Sequence, residues 1–145
     1  MTTTSNIPAA VLDLLSRAEG LPVGISFIER HEKTIENDIE AELAKLGVCM
    51  FVMPVKLLEV QEGADFIFVR RAEVRVRLVV DPMLNETGMD SPEIAAQARL
   101  ALQGTNPGDL LDDAMRLANP PVEEVEDPSA VVLDLLFRAS YQESK

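Results

Sequence analysis

Apolar and polar residues alternate most regularly near the middle of the chain. From Phe66 to Val80 (FIFVRRAEVRVRLVV), Ala72, Val74, Val76, Leu78 and Val80 fall on one side, and Arg71, Glu73, Arg75 and Arg77 fall on the other. Successive side chains of a pleated strand point to opposite faces, so this period of two predicts a long strand with one face in a core. The next ten residues, DPMLNETGMD, carry Pro82, Asn85, Gly88 and Asp90, which favour turns through a fixed φ, side-chain bonds to the backbone or tolerance of positive φ. The period then changes: Ile94, Ala98 and Leu102 repeat every four residues, behind Ser91 as the expected cap and Pro92 at the first helical position, and Gly104 closes the segment.

The flanking segments read in the same way. From Pro8, the residues Val11, Leu14, Leu15 and Ala18 predict a first helix ended by Gly20 and Pro22. Gly24 to Arg30 suits a short strand. From Thr34, Ile35, Ile39, Leu43 and Leu46 mark one face of a second helix that stops at Gly47. The run VCMFVMPVKLLEV (Val48 to Val60) fits a strand buried on both sides, with Pro54 marking an edge, bulge or break because it donates no ladder bond. The brief link Gln61 to Asp65 implies that this strand and the next are antiparallel. Asp109 to Leu117 predicts one or two helical turns between prolines. At the end, Val131, Leu133, Leu135, Phe137, Ala139 and Tyr141 share a face opposite Asp134, Arg138, Ser140 and Gln142, a last core strand. The expected fold class is α+β: a mainly antiparallel sheet of about four strands with helices packed on it in two layers. The expected organisation is one domain over 1–145, with a mobile leader over 1–6 and an acidic linker over 119–129.

Composition narrows the function classes. A net charge of −12 opposes general nucleic-acid binding, which needs clustered Lys and Arg on phosphates. No apolar run approaches the roughly 20 residues that span a bilayer, and MTTTSNIPAA lacks the pattern of a secretory signal, so a cytosolic, membrane-free protein is expected. Cys49 is the only cysteine and His31 the only histidine, so neither a disulfide, a Cys/His metal site nor a cysteine–histidine pair close in sequence is expected. The chain has no GxSxG, P-loop, GxGxxG after a strand or HExxH. No cofactor or catalytic activity is expected. The charge is nevertheless segregated. Arg70, Arg71, Arg75 and Arg77 crowd one strand, and Glu123, Glu124, Glu126 and Asp127 form an acidic run. A candidate subunit interface of Arg71, Glu73, Arg75 and Arg77 against Glu123, Glu124, Glu126 and Asp127 follows from complementarity between copies. A solvated sheet face beside an acidic loop accounts for the same pattern equally well.

The segment VRVRLVVDPMLNETGMDSPEIAAQARLALQG, with TIENDIEAELAKLGVCMFVM before it and FRASYQ near the end, resembles the tail-terminator and tail-completion proteins of tailed bacteriophages and prophages over residues 34–142. The apolar run around Pro54 and the acidic stretch from Val122 to Asp127 depart from that pattern. The resemblance implies a structural virion protein: an α/β subunit of a homo-oligomeric ring, typically a hexamer, at the tail-to-neck junction. Its implied partners are the tail tube and the neck or connector proteins, with DNA passing through the ring without specific binding, and with assembly in the host cytoplasm. Two other classes fit the composition. A small acidic secretion chaperone or adaptor would be a dimer with an apolar client groove, and a small enzyme would carry a pocket with perturbed titratable groups.

Overall fold

The alternating stretch becomes the spine of the sheet. The computed structural model describes residues 3–29, 36–62 and 67–144. Its elements are α1 (Thr3–Ser16), β1 (Ser26–Glu29), α2 (Glu36–Leu46), β2 (Val48–Val52), β3 (Lys56–Glu62), β4 (Ile67–Val80), α3 (Ser91–Leu102), a 3-10 turn (Pro107–Asp109), β5 (Arg116–Val125) and β6 (Val131–Ser144). The strand order is β1-β2-β4-β6-β5, with β3 also paired to β4. The fold is therefore α+β, with six strands where about four were expected. Pro54 breaks the apolar run, so β2 and β3 lie end to end on one side of β4, at Val52↔Val76 and Lys56↔Glu73. β4 and β6 pair antiparallel along their whole length, from Ile67↔Ser144 to Val80↔Val131. Among the described residues only β1 and β2 pair in parallel; parallel neighbours need a crossover connection, and α2 lies in it.

The predicted core face is the observed one. Val74, Val76, Leu78, Ile94, Ala98, Leu102, Leu135 and Phe137 are buried in one cluster against which Leu133 packs. Helix α1 adds Ile7, Val11 and Leu15, all without exposure, each worth about 1.5–3 kcal/mol of burial. β2 is buried along its whole length, as its continuous apolar run requires. Its even-numbered residues enter this core, while Cys49 and Phe51 face the other way with Val79 and Val132. Leu43 of α2 packs on that second cluster, so α2 covers the opposite face from α1 and α3 and the expected two layers become three at this end. Burial pushes the Cys49 thiol up to about 12, which keeps it protonated and inert.

Four expectations are corrected. α1 begins at Thr3, with Pro8 inside it, so residues 3–6 are helical rather than a loose leader. The Thr4 hydroxyl lies 2.7 Å from the hydroxyl of buried Tyr141 on β6, which fixes that first turn to the sheet. The cap of α3 is Asp90, not Ser91: its carboxylate accepts from the Glu93 amide at 3.0 Å, satisfying a donor that the helix leaves free. The segment Asp109–Leu117 holds only the end of a 3-10 turn and the start of β5. Most of the supposed linker over 119–129 is β5 itself, which runs to Val125. Pro120 and Pro121 lie where the register slips between Leu117↔Phe137 and Val122↔Leu135. Edge strands and bulges are where proline is tolerated, since no neighbour there needs its missing N–H. His31 lies outside the described residues.

Gly47 joins α2 to β2 at φ +82, and a Cβ there would lie 2.4 Å from the Leu84 carbonyl carbon. The Gly47 carbonyl also accepts from the Asp81 amide at 2.8 Å, tying the start of β2 to the end of β4. Gly47→Ala should therefore lose about 1–3 kcal/mol from the backbone conformation alone, and more from the displaced 81–86 turn. Urea unfolding of the variant measures the sum; a loss below about 0.5 kcal/mol would show that the turn yields freely.

Candidate functional site

The four charged residues of β4 that alternate with its core residues point to the second face of the sheet. Because β4 and β6 are in full register, Arg77 stands directly opposite Asp134, and Arg75 opposite Leu136, one diagonal step away. Arg77 donates from Nε to Asp134 Oδ1 at 2.8 Å and from Nη2 to Oδ2 at 3.0 Å. Arg75 donates from Nη1 to the same carboxylate at 2.9 Å and from Nη2 to Glu73 at 3.0 Å. On the far side, β5 places Glu123 opposite Asp134, with its carboxylate 3.7 Å from Arg75 Nη2. Two carboxylates opposed across a ladder repel each other, and the two guanidinium groups offset that repulsion.

Asp134 is wholly buried, while the side chains of Arg75 and Arg77 keep 29% and 24% exposure. The aspartate is thus the inner member of the network and the arginines reach it from the solvent side, their stems lying along the sheet. The hydrogen bonds to Asp134 raise the Arg77 guanidinium above its ordinary value, so its charge is held more firmly still. Glu73 is nearly buried. Glu73, Arg75, Arg77, Glu123 and Asp134 are therefore joined in a five-residue ionic network within the chain on the face expected to be solvated or to meet another copy.

The remaining candidates are placed differently. Arg71 is exposed and lies nearer the outer end of β4, opposite Ser140 of β6 and Glu59 of β3. Glu124 is exposed on β5, and Glu126 is exposed just beyond it. Asp127 shapes the β5–β6 turn: its carboxylate accepts from the amides of Ser129 (2.9 Å) and Ala130 (3.0 Å) and from the Ser129 hydroxyl (3.2 Å). Those backbone bonds hold Asp127 below the usual carboxylate range. The basic and acidic runs meet only at Arg75 and Glu123. Arg71 on one side, and Glu124, Glu126 and Asp127 on the other, stay apart.

Sequence reasoning missed Asp134 as the hub and Arg116 and Arg138 as further basic surface. The available signal was Asp134 itself, the one charge within VVLDLLF. A second site lies beyond Arg71: an open groove of about 520 Å³ lined by Leu58, Arg71, Asp113, Arg116, Arg138 and Ser140. Among the described residues no group of three or more His, Cys, Asp or Glu is placed to hold a metal ion.

A mixed six-stranded sheet with α1 and α3 on one face and an ionic network on the other makes this an α+β fold. That fold is shared with a solved chain from the "Virion of native gene transfer agent (GTA) particle", at a TM-score of 0.55 over 93% of this chain and 86% of that one, with 16% identity. No family model and no curated protein matches the chain.

Proposed function

We propose that the chain is a structural, non-catalytic virion protein of a tailed phage or phage-like particle, a ring-forming tail-terminator or completion subunit at the tail-to-neck junction. The observation that carries this reading is the likeness of fold to a chain of a gene transfer agent virion across nearly the whole length. The resemblance of residues 34–142 to tail-terminator proteins supports it from the sequence side. A net charge of −12 suits a conduit wall that lets DNA pass without holding its phosphates. The partners on this reading are further copies of the chain, the tail tube and the neck or connector proteins; assembly takes place in the host cytoplasm and the product resides in the virion.

Loss of the gene from its element should leave heads and tails unjoined, and supply of the chain in trans should restore joined particles. Light scattering on purified protein should give a hexamer or larger ring at low salt. Normal joining without the gene, or a dimer that captures one apolar client segment, would replace this reading with that of an adaptor.

A further inference from the structure

The groove beyond Arg71 contains an arrangement that the subunit alone does not justify. Arg116 of β5 and Arg138 of β6 are directly opposed in the ladder, so their side chains share a face. Like charges so placed are destabilising. Both side chains are exposed. Glu73, opposite Arg138 on β4, gives its carboxylate to Arg75. Arg116 reaches Asp113 at 2.8 Å in a pair that is 75% and 64% exposed, and such a pair contributes little. Arg71 lines the same cleft, which has Leu58 as its apolar wall.

The opposite end of the same hairpin carries the complementary charge. β5 and β6 pair from Arg116↔Arg138 to Val125↔Val132, beyond which lies the turn with Glu126 and Asp127. The two ends lie six positions apart on β6, roughly 20 Å of strand. The acidic turn therefore does not reach the groove of its own chain. Its backbone is held by Asp127, whose carboxylate is taken up by the turn amides, while Glu124 and Glu126 are exposed.

We propose that the groove of Arg71, Arg116 and Arg138 is the docking site for the acidic β5–β6 turn of a second copy of the chain, engaged through Glu124 and Glu126. The proposal rests on the ring reading above and names its contact. Because the two patches differ and lie at opposite ends of one hairpin, the contact is heterologous: each subunit offers its turn to one neighbour and its groove to the other, which closes into a ring when the rotation permits. Nucleic acid is the poorer occupant, since the cleft is small and the chain around it strongly acidic.

Charge exchange tests the contact. Arg116→Glu/Arg138→Glu and Glu124→Lys/Glu126→Lys alter exposed side chains only, so each variant should keep the circular dichroism of the parent. Each alone should raise the apparent Kd of self-association by about tenfold or more in light scattering at low salt. Mixed in equal amounts, they present a complementary pair at every junction and should recover the parent mass, as should a single chain carrying all four changes. A parent that forms rings unaffected by either variant overturns the contact and leaves the ring reading standing. A parent that stays monomeric at every salt concentration overturns both. Loss of heparin binding in Arg116→Glu/Arg138→Glu with no change of mass overturns the contact in favour of a polyanion site.

Discussion

Replacing Leu135 by Ala is expected to cost about 2–5 kcal/mol of folding stability. Leu135 has no exposure and belongs to the main core cluster. It stands opposite Val76 on β4 and Val122 on β5, so neighbours on both sides are held by their own ladders and cannot readily close on the space left behind. That argues for the upper half of the range, since the cavity that remains adds to the lost transfer energy. Denaturant unfolding should show a lower midpoint with an unchanged slope. A loss under about 0.5 kcal/mol would place this side chain at the surface and shift the register of β6 by one residue, because a one-residue slip turns every side chain to the other face.

The register of β6 was legible because its two faces differ in kind. Leu133, Leu135, Phe137 and Tyr141 alternate with Asp134, Arg138 and Gln142, and β4 repeats the pattern. The elements misread were those for which local chemistry and tertiary setting disagree. NPPVEEV reads as a linker because proline and glutamate disfavour strands, yet β5 is an edge strand whose proline segment bulges away from β6. Pro8 reads as the start of a helix, yet Ile7 extends the buried stripe N-terminally and Tyr141 anchors Thr4 from the far end of the chain. Part of the candidate site was visible and part was not. The segregation of charge could be read from composition along the chain. Which arginines are used up inside the subunit depends on β6 lying between β4 and β5, a fact about pairing rather than periodicity. Once that order is known, Asp134 falls between Arg77 and Glu123, and Arg116 and Arg138 stand exposed and opposed at the other end of the hairpin.

The consequence is that reversing Arg71, Arg75 and Arg77 together should unfold the chain instead of merely separating its copies. Arg75 and Arg77 supply three hydrogen bonds to Asp134, which is wholly buried. Removing both by Arg75→Met/Arg77→Met leaves that carboxylate without its partners, and stranding one member of a buried pair costs about 3–5 kcal/mol. Putting glutamates in their place adds repulsion from Glu73, Asp134 and Glu123 on the same face. Against a total stability of about 5–15 kcal/mol, the reversed variant should lose its cooperative thermal transition. The two arginines are partly exposed, so the opposite deletion should be milder: Asp134→Leu alone leaves charges that can turn to water. Adding Asp134→Leu to Arg75→Met/Arg77→Met replaces all three members with apolar side chains and should recover most of the loss, because an apolar substitute for a buried ionic group is often neutral. Circular dichroism melts of the four variants decide the matter. If Arg75→Met/Arg77→Met melts with the parent, or if the added Asp134→Leu brings no recovery, the network does not hold the second face of the sheet. If the reversed variant stays folded and loses association while Arg71→Glu alone keeps it, Arg75 and Arg77 belong to the contact between copies after all.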